Sequence, residues 1–498
     1  MNHQFDELTT SIAQSIRRRA ALKKLGLGLA GMALAGLLTL PAVADNVQLS
    51  PLIEISLPNA VGACDDGVTL PGPWALDDAA ETYTAVNPKN PRHIVTVWVQ
   101  GPYQNVVAGV TFDGGRTWQR VPIPFTGCSG GPYAVAGNPW VTFAANGDVY
   151  VIAVAGVSFE NRGISITKST DGGRHWSALN VFSESDDLNY LADKPSITAD
   201  PADPRVVYAV WDLSDEIGGV GDHTVFTRTT DGGATWEPAR VIDAAGVGSF
   251  TTDHQIAVLP NGVLVCFFDE GTFDSDAGVW TSSGIVLLRS TDKGRTWSRR
   301  IPVAQEFYTP AADPETGTTV WASDLHSLAV DSRSGRLYVV WHDARFSNGA
   351  FNSVAFSQSA DGGLTWSSPI RINQTPRFIP PGNQQTFQAS IAVAADGTIG
   401  VSYYDFRFNN RNPGVPTDRW FVQCQPSNRK PATDPDNWGG EVRLTARSFD
   451  LEALWAPLFE YFVGDYEGLA ATGNDFVTTF CQVDRDGFSS IFFRRIGQ

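Results

Sequence analysis

"STDGGRHW" occupies Ser169–Trp176, and the pattern returns as "TFDGGRTW" from Thr111, "TTDGGATW" from Thr229, "STDKGRTW" from Ser290 and "SADGGLTW" from Ser359. The aspartates of the five copies, Asp113, Asp171, Asp231, Asp292 and Asp361, stand 58, 60, 61 and 69 residues apart. A fixed signature at such a period marks one supersecondary unit per copy. Its chemistry is that of a turn: the Asp side chain accepts backbone N–H bonds, glycine takes a positive φ, and the Trp packs between neighbouring sheets. Five catalytic copies would be redundant, so the boxes read as framework.

Around each box the order of events repeats. In "KPSITADPADPRVVYAVWD" a short strand, a Pro/Asp turn and a second apolar strand follow one another, and "HTVFTRTTDGGATW" adds a third strand, the box and the start of a fourth. Helical periodicity is almost absent from residue 45 onward, so the chain reads as all-β. Short strands at even spacing with a Trp/Gly signature point to a β-propeller of four-stranded antiparallel blades. Inner strands fall near Ile94, Val141, Ile197, Ile256, Leu328, Ile391 and Leu469, which makes seven blades, with six as the alternative. The sixth unit lacks a box, and Trp438 in "DPDNWGGEVRLT" stands in its place. The last unit has only three strands, so an N-terminal strand from "VQLSPLIEIS", Val47 to Ser56, is expected to complete it and cover the open edge.

The pattern Ser/Thr-x-Asp-x-Gly-x-x-Trp resembles the Asp box, or bacterial neuraminidase repeat, of the sialidase-like superfamily, over most of residues 81–371. The resemblance implies a propeller whose boxes are structural and a glycan-directed activity. It departs from sialidases in lacking their early Phe/Tyr-Arg-Ile-Pro motif. "RFIP", Arg377–Pro380, has another order and lies in a later loop.

The first 44 residues form a separate segment. Arg17, Arg18, Arg19, Lys23 and Lys24 precede an apolar run from Leu25 to Leu40, and Ala42 and Ala44 sit at the small-residue positions of a cleavage site before Asp45. This reads as an export signal, similar to the twin-arginine type although Ala21 stands where a bulky residue is preferred. Residues 45–498 then form the single exported domain, periplasmic or extracellular. The run is too short for a membrane span, which needs roughly 20 apolar residues. The formal charge is −17, and about −20 once the leader is set aside. Such a surface repels phosphate backbones, so nucleic acid is excluded as a partner. Five scattered cysteines form no scaffold. The expected pairings are Cys64 with Cys128 and Cys424 with Cys481, leaving Cys266 a buried thiol.

In a four-stranded meander the first strand begins where the second ends, and the turn carrying the box lies at the opposite edge. The first edge is acidic in this sequence. Asp193, Asp253, Asp324 and Asp465 precede first strands, and Asp212, Asp269, Asp343 and Asp405 end second strands. The candidate catalytic residues are therefore Asp343, Asp405, Asp324, Asp253, Tyr466 and Glu467, and the candidate substrate-binding residues are Arg345, Arg407, His342, His254 and Arg377. Asp343-x-Arg345 and Asp405-x-Arg407 would place acids beside an anion clamp. No cofactor is required by this chemistry. Asp269, Glu270, Asp274 and Asp276 offer hard oxygens suited to Ca²⁺, without the spacing of a complete calcium loop. The expected partner is a glycan or other small molecule. Glycoside hydrolysis through paired carboxylates is the first reading. A non-catalytic propeller binding a carbohydrate or protein is the second, since fold alone does not choose.

Overall fold

Each box folds as the turn between the third and fourth strands of a blade. In the first, Thr111 Oγ1 donates to Asp113 Oδ1 (2.8 Å), the same oxygen accepts the N–H groups of Arg116 (2.9 Å) and Thr117 (3.0 Å), and Oδ2 accepts the Thr117 hydroxyl (2.7 Å). The other four copies repeat these bonds around Asp171, Asp231, Asp292 and Asp361. The bonds to the ionised form, led by that from Thr117, hold the Asp113 carboxyl well below the usual carboxylate range. The second glycine of the box is a close-approach position as well as a turn. Gly115 has φ +92°, and a Cβ there would lie 2.1 Å from the Phe493 ring of the neighbouring blade.

The protein is described by a computed structural model over residues 47–62, 64, 75–101, 103–182, 190–215, 221–274, 279–321, 325–410, 414–454 and 460–497. The leader, Asp324 and Asp276 lie outside the described residues. Seven antiparallel sheets follow one another, the first six with their strands in sequence order from the channel outward and the seventh closed on the outside by N-terminal strands. The first strands of blades 1 to 7 are Ala79–Val86, Val135–Phe143, Tyr190–Ala199, Ser249–Val258, Ser327–Val330, Thr386–Val393 and Gly468–Thr472. In blade 1 the inner strand is therefore Ala79–Val86, and Ile94 begins the second strand instead. The fully buried, apolar Ile94–Gln100 reads as the inner strand, whereas Ala79–Val86 is more polar and only partly buried at three positions. In blade 7, Gln48–Leu49 and Ile53–Glu54 run antiparallel along Ser489–Gly497. Among the described residues the only helices are five 3₁₀ turns of three or four residues, and no helix is long and apolar enough to cross a membrane.

Blade faces are apolar on both sides because each sheet is covered by the next. Trp98, Trp211 and Trp341, on the second strands of blades 1, 3 and 5, are fully buried. The box tryptophans then join consecutive blades edge-on. Trp236 meets Phe182 of blade 2 (5.7 Å), Trp297 meets Phe226 of blade 3 (5.3 Å), Trp366 meets Phe267 of blade 4 (5.5 Å), and Trp118 meets Phe493 of blade 7 (5.0 Å). Trp438 of the boxless blade 6 does the same against Phe356 of blade 5 (5.0 Å). Such pairs add about 0.5–1.5 kcal/mol each beyond the area they bury.

Cys64 and Cys128 form a disulfide, tying the segment before blade 1 to the connection after it. Cys424 and Cys481 do not pair. Each is a buried free thiol, one in the core between blades 5 and 6 and the other in the core of blade 7, as is Cys266 in blade 4.

Candidate active site at the channel mouth

The first strand of five blades is interrupted by a bulge at the same height. The bulged residues are Glu81, Asn138, Lys194, Asp253 and Gln388, all with φ between +40° and +56°. None is glycine and all are polar. A bulge re-aims one side chain, and a left-handed non-glycine residue costs of order 1–3 kcal/mol, so strain recurring in register marks a site that the rest of the fold sustains. The mouth is the edge where Asp193 pairs with Asp212 and Thr252 with Asp269, opposite the boxes.

These residues converge. Asn138 donates its backbone N–H to Glu81 Oε2 (2.8 Å) and its side-chain amide to Asp465 Oδ2 (2.6 Å). Lys194 Nζ stands 2.5 Å from the same Asp465 oxygen, and Tyr103 donates its hydroxyl to Glu81 Oε1 (2.9 Å). Burial, reinforced by the nearby Asp465 charge, pushes the Glu81 carboxyl up to about 8. Lys194 is held above the ordinary lysine range, because Asp465 and Asp193 outweigh the effect of burial. The mouth thus contains one carboxyl kept protonated and, beside it, one paired with an ammonium.

On the blade 4–5 side, His326 Nδ1 lies 2.8 Å from Asp269 Oδ1 and 3.3 Å from Asp253 Oδ2. Burial works against a charged imidazole, but these two carboxylates raise His326 to about 9. Burial also raises Asp253, to about 7, against the pull of His326. The three donor atoms lie close enough to hold one cation in place of that proton. Below the mouth, Tyr83 stacks on Trp140 (3.5 Å) and Tyr466 stands edge-on to both. The Tyr466 hydroxyl has no hydrogen-bond partner, and burial followed by Glu81 and Asp465 holds it well above the usual tyrosine range. Past this aromatic layer, a channel of about 330 Å³ runs between the first strands of blades 1 to 5.

Of the residues singled out in the sequence, Asp253 and Tyr466 join this cluster. Glu467 does not join it. It accepts the Tyr404 hydroxyl (2.8 Å) between blades 6 and 7, and burial raises it to about 7. Asp343 and Asp405 are fully buried and already engaged. Asp343 accepts Trp341 Nε1 (2.8 Å) and the backbone and guanidinium of Arg345. Asp405 accepts Trp420 Nε1 (3.0 Å) and the Thr375 hydroxyl (2.7 Å) and pairs with Arg407. Arg407 also binds Glu441 (2.7 Å) and lies over Trp420 (3.5 Å). In place of an anion clamp, each Asp-x-Arg forms a closed local pin that ends a second strand.

His342 accepts the Ala389 N–H (2.9 Å) and His254 contacts the Thr224 hydroxyl (2.8 Å). Burial keeps both neutral, with values lowered to about 3. Arg377 is exposed on the loop before blade 6, beside Arg371. The acidic group around Asp269 is split by strand alternation. Asp269 turns to His326, whereas Glu270 turns outward to Arg300 (2.5 Å), so the two are not co-ligands. Sequence reasoning missed Glu81, Asn138, Lys194 and Tyr103. For Glu81, Asn138 and Lys194 the signal is a polar residue just ahead of each alternating inner strand, as in "ETYTAV", "NPWVTF" and "KPSITA", visible once the repeats are stacked on their bulges; Tyr103, in a loop of blade 1, carries no such signal.

Residues 95–320 match the family model described as a BNR repeat-like domain. A sialidase of Bacteroides fragilis is 22% identical over 316 residues, 58% of this chain and 52% of that protein. Xyloglucanase Xgh74A of Acetivibrio thermocellus is 25% identical over 244 residues, 46% of this chain and 25% of that one. The chain thus spans about half the length of the first relative and a quarter of the second. The solved Hadza microbial sialidase Hz136 superposes with a TM-score of 0.45 at 14% identity, over 81% of this chain and 74% of that one. The chain is a seven-bladed β-propeller with Asp boxes, which carries a BNR repeat-like domain over residues 95–320 and is similar in sequence to a sialidase.

Proposed function

We propose that the protein is an exported glycoside hydrolase acting at the channel mouth, with Glu81 as the acid and Asp465 as its ionised partner. The observation that carries this is the pair itself: one residue, Asn138, bonds two carboxyl groups in unlike surroundings, Glu81 raised by burial and Asp465 paired with the Lys194 ammonium. Acid and base roles are assigned in this way when two like groups sit in unlike environments. Protonated Glu81 would give its proton to the glycosidic oxygen as the C–O bond breaks. Asp465 would either attack the anomeric carbon or take a proton from an attacking water. Asp253, His326 and the free hydroxyl of Tyr466 would position the sugar. Export is supported by the leader composition and by the Cys64–Cys128 disulfide, which suits an oxidising compartment.

A glycan hydrolysis screen with the purified protein, beside Glu81→Gln and Asp465→Asn, tests the proposal. Turnover unaffected by both substitutions would refute it. A second reading, a carbohydrate-binding propeller without turnover, draws on the burial of the pair, since Glu81 is fully buried and Asp465 is 4% exposed. Binding without any product, preserved in Glu81→Gln, would favour that reading.

A further inference from the structure

Three cations of the mouth cluster are committed to carboxylates of the protein, and a fourth, Arg419 behind the Gln388 bulge, is fully buried and donates to the Gln388 carbonyl and to the Ser390 and Ser402 hydroxyls. Lys194 lies 2.5 Å from Asp465, Arg162 lies 3.3 Å from Asp193, and His326 lies between Asp269 and Asp253. Arg162 is held further by donation from Nε to the Ala192 carbonyl (3.2 Å). Among the described residues of this cluster, carboxyl groups outnumber basic groups once Glu81 and Asp212 are included. Arg345 and Arg407 are pinned to Asp343 and Asp405 in blades 5 and 6, and Arg377 neighbours Arg371.

The atoms left without partners have the complementary character. Asp465 Oδ1 is a buried acceptor with no donor, and Asp212 Oδ1, on a carboxyl raised by burial and by Asp193, and the Tyr466 hydroxyl are also unpaired. Both aspartates are more than nine-tenths buried. A buried acceptor is satisfied by a ligand O–H or N–H. A ligand carboxylate brings only further acceptors, and it would give up its hydration with no free guanidinium fork to receive it.

We infer that the sugar seated at this mouth is uncharged or carries an amino group, and that glycans presenting a carboxylate there, sialic and uronic acids alike, are excluded. The inference rests on the mouth being a glycan site. It separates the protein from carboxylate-gripping relatives by occupancy rather than by fold: the mouth has cations, and the protein's own acids fill them. Removing one such acid should therefore open a place for an acidic sugar. Asp193 is suited to this, because its side chain is 28% exposed and its partner Arg162 also reaches solvent.

The test is calorimetric binding of matched pairs to the full-length protein: lactose against sialyllactose, galacto- against galacturono-oligosaccharides, and glucosamine oligomers as the amino arm. The neutral or amino member should bind at least ten-fold more tightly than its acidic counterpart. Asp193→Asn should narrow that gap several-fold, and Asp193→Asn combined with Arg162→Gln should restore it. Acidic members binding wild type as tightly as neutral ones would overturn the inference while leaving a glycan site in place. A preference for neutral sugars that Asp193→Asn leaves unchanged would overturn it too, because occupied cations would not be the cause. Failure of every member to bind would remove the glycan reading itself, and the inference with it.

Discussion

Lys194 Nζ sits 2.5 Å from Asp465 Oδ2, and the lysine that reaches across from blade 3 to blade 7 does so from a left-handed bulge. Lys194→Met would leave Asp465 buried without its cation. Breaking such a pair costs about 3 kcal/mol. The loss should shrink in an Asp465→Asn background, where no carboxylate is left unpaired. Urea midpoints of the two single variants and the double variant measure this, and equal losses in both backgrounds would show that the charge is not what the lysine supplies.

Stability should fall as pH rises from 6.5 to 9. Glu81 keeps its proton to about pH 8 in the folded protein but only to 4.5 in the unfolded chain, and His326 stays charged to about 9 against 6.5. Asp253 behaves likewise up to about 7. Folding therefore binds protons across this window, and stability is lost as they leave. His254 and His342, neutral in the fold down to about 3, oppose this only below 6.5. The expected decline is about 6 kcal/mol, and Glu81→Gln should remove about 2 kcal/mol of it, all below pH 8, leaving the slope due to His326. A flat or rising curve in wild type would contradict the assignment.

If Glu81 is the acid, activity should fail above about pH 8 as it loses its proton. Glu81→Gln should lower kcat by at least about a hundred-fold while KM changes little. A collapse of binding together with kcat would mark Glu81 as a positioning residue.

The boxes should affect stability and leave specificity alone. Trp366→Ala removes a half-buried indole from Phe267 and should cost about 3 kcal/mol. Gly115→Ala should cost at least about 2 kcal/mol, through its φ of +92° and a Cβ 2.1 Å from Phe493. Denaturation midpoints beside relative rates on two glycans check both. Altered preference at unchanged stability would place the boxes in the site.

Reducing Cys64–Cys128, which closes a long loop around blade 1, should cost about 2–4 kcal/mol. The melting temperature with and without reductant measures it. The buried Cys266, Cys424 and Cys481 should stay unreactive to thiol reagents until unfolding.

The ring was legible because the box is local. Asp113 acts on neighbours within four residues, so its spacing in the chain is its spacing in space. The acidic edge was legible for the same reason, since strand order alone sends Asp212, Asp269 and Asp343 there. What the pattern left open was which carboxylates are free. Asp343 and Arg345 are two apart and face the same side, as alternation predicts, but they satisfy each other. Glu81, Asn138 and Lys194 were hidden because a bulge breaks the alternation that would have marked them. Asp465 meets partners 327 and 271 residues away, a separation that a single sequence does not encode.

The indoles lean in one direction around the ring, each on an aromatic ring made earlier in the chain: Trp236 on Phe182, Trp297 on Phe226, Trp366 on Phe267, Trp438 on Phe356. A growing chain can therefore lay each new blade on a finished surface, in the order the ribosome delivers them. Trp118 alone leans on a residue synthesised later, Phe493. Until that residue emerges, the nascent protein is an open arc with one uncovered indole at its leading end. Chaperone dependence and aggregation during synthesis should therefore concentrate at blade 1 and end abruptly with the last strand.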